Sequence, residues 1–157
     1  MTYHPVDVAW KIISIASQKN IYLTHMQLQK LTYIAHGLSL AGYNEPLLNQ
    51  PVSAWKFGPV IPSLYHAFKG YRSGLIPPTS QSISMQQNDE KLLEIVVDTY
   101  GKLSGVQLSE LTHRNGTPWE QVWNRNGGSN MDNAIISDEL IKNYYTTMLK
   151  DQRCNGL

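Results

Sequence analysis

The segment 24–42 constrains the fold of this chain more than any other. Thr24 followed by Gln27 is a capping box: the hydroxyl takes the Gln27 amide, and the Gln27 side chain returns to the Thr24 amide. Leu23 and Leu28 occupy the two positions of a hydrophobic staple across that start. Beyond the cap, Leu28, Leu31, Ala35 and Leu38 form one stripe. Met26, Tyr33, Ile34, Leu40 and Ala41 make most of the remaining circumference apolar. A helix that is apolar nearly all round has no face to give to water, so it belongs at the centre of a bundle. Gly42 is placed to end it.

Other segments supply the walls. Pro5 opens a helix whose Ala9, Ile12, Ile13 and Ala16 recur on one face, ending near Lys19-Asn20. Pro62 opens another, with Ile61, Leu64, Tyr65 and Phe68 inward and Gly70 at its end. Leu93, Val96, Val97 and Tyr100 mark a fourth, closed by Gly101. Ser104 with Gln107 is a second capping box, for a short helix through Leu108 and Leu111. Thr117-Pro118-Trp119-Glu120 is a third, with Trp119, Val122 and Trp123 sharing a face. After a turn at Asn126-Gly127-Gly128, Ile136 and Ile141 form a staple around Ser137. The last helix carries Ile141, Tyr144, Tyr145 and Met148, with a frayed tail after Lys150. Pro46, Asn49 and Pro51 break helix, and Val52, Ala54 and Phe57 alternate with Ser53 and Lys56. Residues 71–87, rich in Ser, Gln and Pro, read as a surface loop mobile at its middle. The fold predicted is mainly α: one compact bundle of about six or seven helices around the buried 24–42 helix. A short strand or hairpin lies near 46–58. The whole of 1–157 reads as a single domain, with no internal linker.

Several function classes find no support. The formal net charge is +1 with no basic block, so no direct nucleic-acid partner is expected. Cys154 is the single cysteine, which leaves no disulfide and no thiolate metal site within one chain. No signal pattern or span-length apolar run is visible, which points to a cytoplasmic protein without a membrane partner. The histidines His4, His25, His36, His66 and His113 form no metal-ligand spacing. His25, at a first helical position, reads as solvated. His36 reads as a buried or half-buried imidazole bonded to a backbone carbonyl. His66 and His113 favour structural roles as well, unless 36, 66 and 113 converge in space as a small His-dependent enzyme would require. Asp89, Glu90 and Asp98 read as solvated charges. No phosphate-cradling glycine motif occurs, so no catalytic residue, cofactor or metal is expected, and the chain does not read as an enzyme.

The segment Trp55-Lys56-Phe57-Gly58-Pro59-Val60-Ile61-Pro62 stands out by its density of rings. Two readings stay open: a packed corner of the core, or a rigid aromatic platform for a partner. In either, Gly58-Pro59 sets the turn, Pro62 starts a helix, and the rings pack against the 24–42 helix. As a platform its residues are Trp55, Lys56 and Phe57, with Tyr65, His66, Tyr71 and Arg72 following.

Leu28-Gln29-Lys30-Leu31-Thr32-Tyr33-Ile34-Ala35-His36-Gly37, then Ala54 through Tyr65, resemble the signature of the Panacea domain, a family also called SocA-like or GepA-like. Leu111-Thr112-His113, Thr117-Pro118-Trp119 and Ile141-x-x-Tyr144-Tyr145 follow in the same order, so the resemblance runs from about Val6 to Met148. It implies structural roles for Leu28, Lys30, Leu31, Tyr33, His36, Gly37, Gly58, Pro59, Val60, Pro62, His113, Pro118 and Trp119. It also implies an antitoxin of a bacterial or prophage toxin–antitoxin pair, neutralising a toxin encoded beside it by direct protein–protein binding. A proteolytic adaptor that delivers the toxin to a cellular protease is the alternative. The resemblance carries no catalytic site and fixes no oligomeric state. Members with a fused DNA-binding domain exist, and this chain has no room for one.

Overall fold

The central helix forms where its cap dictates. In the computed structural model, which describes residues 1–79 and 83–154 with side chains to residue 151, helix α2 spans His25–Tyr43. Thr24 Oγ1 accepts from the Gln27 amide at 3.3 Å, and Gln27 Oε1 accepts from the Thr24 amide at 2.8 Å. Every residue from Leu28 to Leu40 is buried, including the polar ones. The apolar collar ends at the tips: Met26 is 47% exposed. Gly42 does not end the helix. It continues to Tyr43, and Asn44 takes the left-handed cap at φ 58°.

Helices α1 (Pro5–Gln18), α4 (Gln87–Tyr100), α5 (Gly105–His113) and α7 (Asp138–Cys154) all pack against α2. The α5 capping box of Ser104 and Gln107 is complete. Helix α3 (Pro62–Phe68) runs past Gly70 as a tight turn to Tyr71, and α6 (Pro118–Glu120) continues as a wider π turn to Arg125. Helix α7 extends beyond Lys150, so the expected fraying does not begin there. The third capping box is only half made. Thr117 Oγ1 accepts from the Glu120 amide at 3.3 Å, but the Glu120 carboxylate turns to Arg125 at 2.8 Å. An ion pair outbids the Thr117 amide, which bonds to Arg114 instead.

The strands are short. β2 (Val52–Trp55) and β3 (Gly58–Val60) form an antiparallel hairpin in which Trp55 faces Gly58, so the turn is Lys56-Phe57 and not Gly58-Pro59. Pro59 lies on the edge strand, where a missing N–H breaks no ladder bond. β5 (Ala134–Ile136) pairs with the other side of β2, a partner the sequence does not announce. β1 (Leu23–Thr24) pairs with β4 (Leu75–Ile76), and Ile76 is fully buried. The 71–87 segment is therefore anchored at that point; its middle, expected to be mobile, includes residues 80–82, which lie outside the described residues.

Two polar residues differ from expectation. Asp89 is buried and accepts from the Tyr3 hydroxyl at 2.7 Å. His36 is buried but does not donate to a carbonyl: Nδ1 accepts from the Leu47 and Leu48 amides, each at 3.3 Å. With Nδ1 an acceptor, the proton sits on Nε2, which donates to Asp138 at 2.8 Å. That hydrogen bond holds the Asp138 carboxyl below its ordinary range, partly opposed by burial. His36 thus ties α2 to the 44–48 turn and to the start of α7.

Candidate functional site

The hairpin tip is clamped by side chains from three helices. Trp119 Nε1 donates to the Trp55 carbonyl at 2.6 Å, Ser109 Oγ to the Phe57 carbonyl at 3.1 Å, and Lys30 Nζ to the Pro59 carbonyl at 2.8 Å. The Gln29 amide then pairs with both backbone groups of Ile61, accepting at 3.1 Å and donating at 3.3 Å. The block Leu28-Gln29-Lys30-Leu31 therefore divides its work. Leu28 and Leu31 enter the core, while Gln29 and Lys30 hold the backbone of residues 59–61. The two best-defined sequence blocks form one structural unit.

Between α2, the hairpin, α3 and α5 lies a cleft of about 280 Å³. Met26, Gln29, Lys30, Trp55, Val60 and Tyr65 line it, with His25, Lys56, Phe57 and Ser109. Trp55 and Tyr65 meet edge to face at 5.0 Å, and Tyr65 meets His25 at 5.2 Å. The Trp55 indole N–H donates to Asn133 at 2.8 Å, which fixes that ring. At the mouth, Phe57 is 73% exposed, with the Lys56 ammonium 5.5 Å from its ring centre.

The cleft sets cationic groups among apolar ones. Its lining holds His25, Lys30 and Lys56 but no Asp or Glu. Lys30 is only 4% exposed and, among the described residues, forms no ion pair. Burial lowers its pKa to about 8, since an ammonium stripped of water favours the neutral amine. His25 is half-buried, against the expectation of a solvated ring. Burial, and then the Lys30 charge, lower its pKa, and its Nδ1 is buried without a partner.

The fold gathers Trp55, Lys56, Phe57 and Tyr65 at this cleft. His66 is exposed beside Tyr65, 5.7 Å away ring to ring. Tyr71 and Arg72 sit on the turn after α3, with Tyr71 against Phe68 at 6.1 Å, and neither lines the cleft. Trp55 is half-buried against Tyr65 and Phe57 is exposed, so neither hairpin ring enters the core cluster. Val60 lines the cleft, Pro62 begins α3, and Pro118 and Trp119 are buried in α6. His113 lies edge-on to Trp119 at 5.4 Å. His36, His66 and His113 thus occupy three separate settings. The residue that sequence reasoning placed only in the scaffold is Lys30. Its signal is a lysine in the middle of a helix with no wet face.

These features define a mainly α domain whose hairpin closes a cationic, apolar cleft. The family model described as Antitoxin SocA-like, Panacea domain, matches residues 28–120, which include the whole hairpin and most of the cleft. Antitoxin SocA of Caulobacter vibrioides (strain NA1000 / CB15N) is 33% identical over 157 aligned positions, covering 88% of this chain and 80% of that protein. The chain belongs to the SocA-like Panacea family. No solved structure matches it, and no helix among the described residues is long and apolar enough to cross a membrane.

Proposed function

We propose that this protein is the antitoxin of a toxin–antitoxin pair, acting in the cytoplasm, and that it neutralises its toxin by direct contact through the hairpin tip and cleft. The observation that carries this reading is Phe57, a large ring 73% exposed on a tip whose Trp55, Phe57 and Pro59 carbonyls are each held by a side chain. An exposed ring on a mobile loop would lose entropy on docking, whereas one held in place keeps most of its contact energy. Trp55, Lys56 and Tyr65 extend the surface, with His66 beside them. Tyr71 and Arg72 belong to an adjoining surface. A stable interface of about 1,000 Å² or more would reach beyond the cleft on every side. Near-neutral charge makes shape and apolar contact the main source of affinity.

The test is co-expression with the product of the neighbouring gene. Growth rescue and a co-purifying complex are expected, with Phe57→Ala and Lys56→Ala weakening both while the melting temperature stays put. A neighbour harmless on its own would overturn the pairing. Rescue accompanied by loss of the toxin, and abolished in protease-deficient cells, would assign the adaptor route instead.

A further inference from the structure

Holding the Pro59 carbonyl does not account for a full ammonium at Lys30. An ammonium has three donors, and its one described acceptor is the Pro59 carbonyl. A desolvated cation without a counter-charge is costly, and a methionine of similar length would fill the same space without that cost. The backbone beside the ammonium is also kept free of a side chain. A Cβ on Gly58 would stand 2.9 Å from Nζ, and the Gly58 backbone holds φ +126°, which side chains rarely adopt. His25 Nδ1, in the same wall, is buried without a partner. The lining has no acid, in a chain with 12 acidic residues against 13 Lys and Arg. The missing member of this site is negative.

We infer that the cleft is a receptor for a carboxylate carried on an apolar segment, supplied by an Asp or Glu side chain of the neutralised toxin. The identity of the carrier rests on the function proposed above; the carboxylate site does not. A phosphate group would call for several donors, typically including a bidentate arginine, and no arginine lines the cleft. One ammonium surrounded by Met26, Trp55, Val60 and Tyr65 suits a single negative charge with an apolar stem. The volume of about 280 Å³ lies near the lower end for ligand pockets, enough for one side chain and its flanks. The same partner that covers Phe57 would lie across the mouth, and Lys56 there adds a second attraction for an acidic segment. Binding restores charge balance to Lys30, so affinity falls as Lys30 loses its proton.

The site is tested with 4-phenylbutyrate and its uncharged amide as probes, titrated into the purified full chain and followed by NMR of the Trp55 indole N–H. The acid is expected to bind and the amide to bind at least about tenfold more weakly. Affinity for the acid is expected to fall by about tenfold between pH 6.5 and 9.5. His25, Lys56 and Tyr65 also line this cleft and His113 lies beside Gly58, so the step is assigned by variants. It disappears in Lys30→Met and persists in Lys56→Met and His113→Gln. Equal binding of acid and amide, no binding of either, or full acid binding by Lys30→Met would overturn the site. The carrier is tested separately by neutralisation. Lys30→Met with an intact melt is expected to lose it, and full neutralisation by that variant overturns a toxin carboxylate. Failure of the wild-type chain to neutralise refutes the proposed function itself, and leaves the probe result to judge the site.

Discussion

Gly37 and Gly58 sit at two places where a neighbour comes too close for a side chain, and they serve opposite ends. At Gly37 a Cβ would drive into the Tyr145 ring, so the missing side chain lets α7 lie down on α2. Both rings there are buried, with Tyr33 and Tyr145 edge to face at 6.2 Å. At Gly58 the missing side chain makes room for the Lys30 ammonium, a charged group that lines the cleft. A tight approach identifies a packing contact when apolar groups meet there; where it accommodates a buried charge beside a cleft, it points to a site.

The largest effect should come from breaking the packed end. Gly37→Val is expected to destabilise the fold by about 3 kcal/mol, because a close-packed interior cannot absorb the added methyls. Tyr145→Leu in the same chain should return part of that loss, and a double-mutant cycle by chemical denaturation measures how much. At the open end the sign reverses. Lys30→Met is expected to stabilise the protein at neutral pH by about 1–3 kcal/mol, because it removes a buried unpaired cation.

The two ends should also respond oppositely to alkali. Lys30 has its folded pKa lowered to about 8, so the unfolded chain holds more protons above that value and stability rises with pH. The rise is expected to reach about 1–2 kcal/mol by pH 9.5, and to vanish in Lys30→Met. Tyr33 and Tyr145 have their pKa values raised by burial, so their contribution is present below pH 10 and lost above it. A denaturation series should therefore peak between the two, and a curve that falls steadily from pH 7 would contradict the buried, charged Lys30.

Smaller effects sharpen the contrast. Phe57→Ala should leave stability within about 0.5 kcal/mol while weakening toxin binding about tenfold, measured by calorimetry. Asp138→Asn removes the carboxylate that His36 meets, and is expected to cost about 0.5 kcal/mol since Asp138 is half exposed. Its carboxyl is held below the ordinary range, so this contribution is present at neutral pH and fades as pH falls through the carboxylate range.

Much of the helical architecture was legible from local patterns. Thr24, Ser104 and Pro62 begin helices where their side chains or ring predict, and Leu28, Leu31, Ala35 and Leu38 are buried as their spacing requires. The site was half legible. Trp55, Lys56, Phe57 and Tyr65 meet at one cleft, but the rings do not pack into the core as expected: Phe57 is exposed and Trp55 only half-buried. Alternation alone cannot tell which ring of a tight turn faces in, because a two-residue hairpin redirects Phe57 after the strand period has ended.

By itself, then, the sequence determined where helices start and which of them is central, because capping and apolar periodicity act over a few neighbouring residues. Tertiary structure alone decided that Lys30 meets Pro59 across 29 positions, that Trp119 holds Trp55 across 64, and that His36 meets Asp138 across 102. No local preference encodes a partner at such distance. A buried lysine looks like an anomaly in a helix until the fold surrounds it with a cleft.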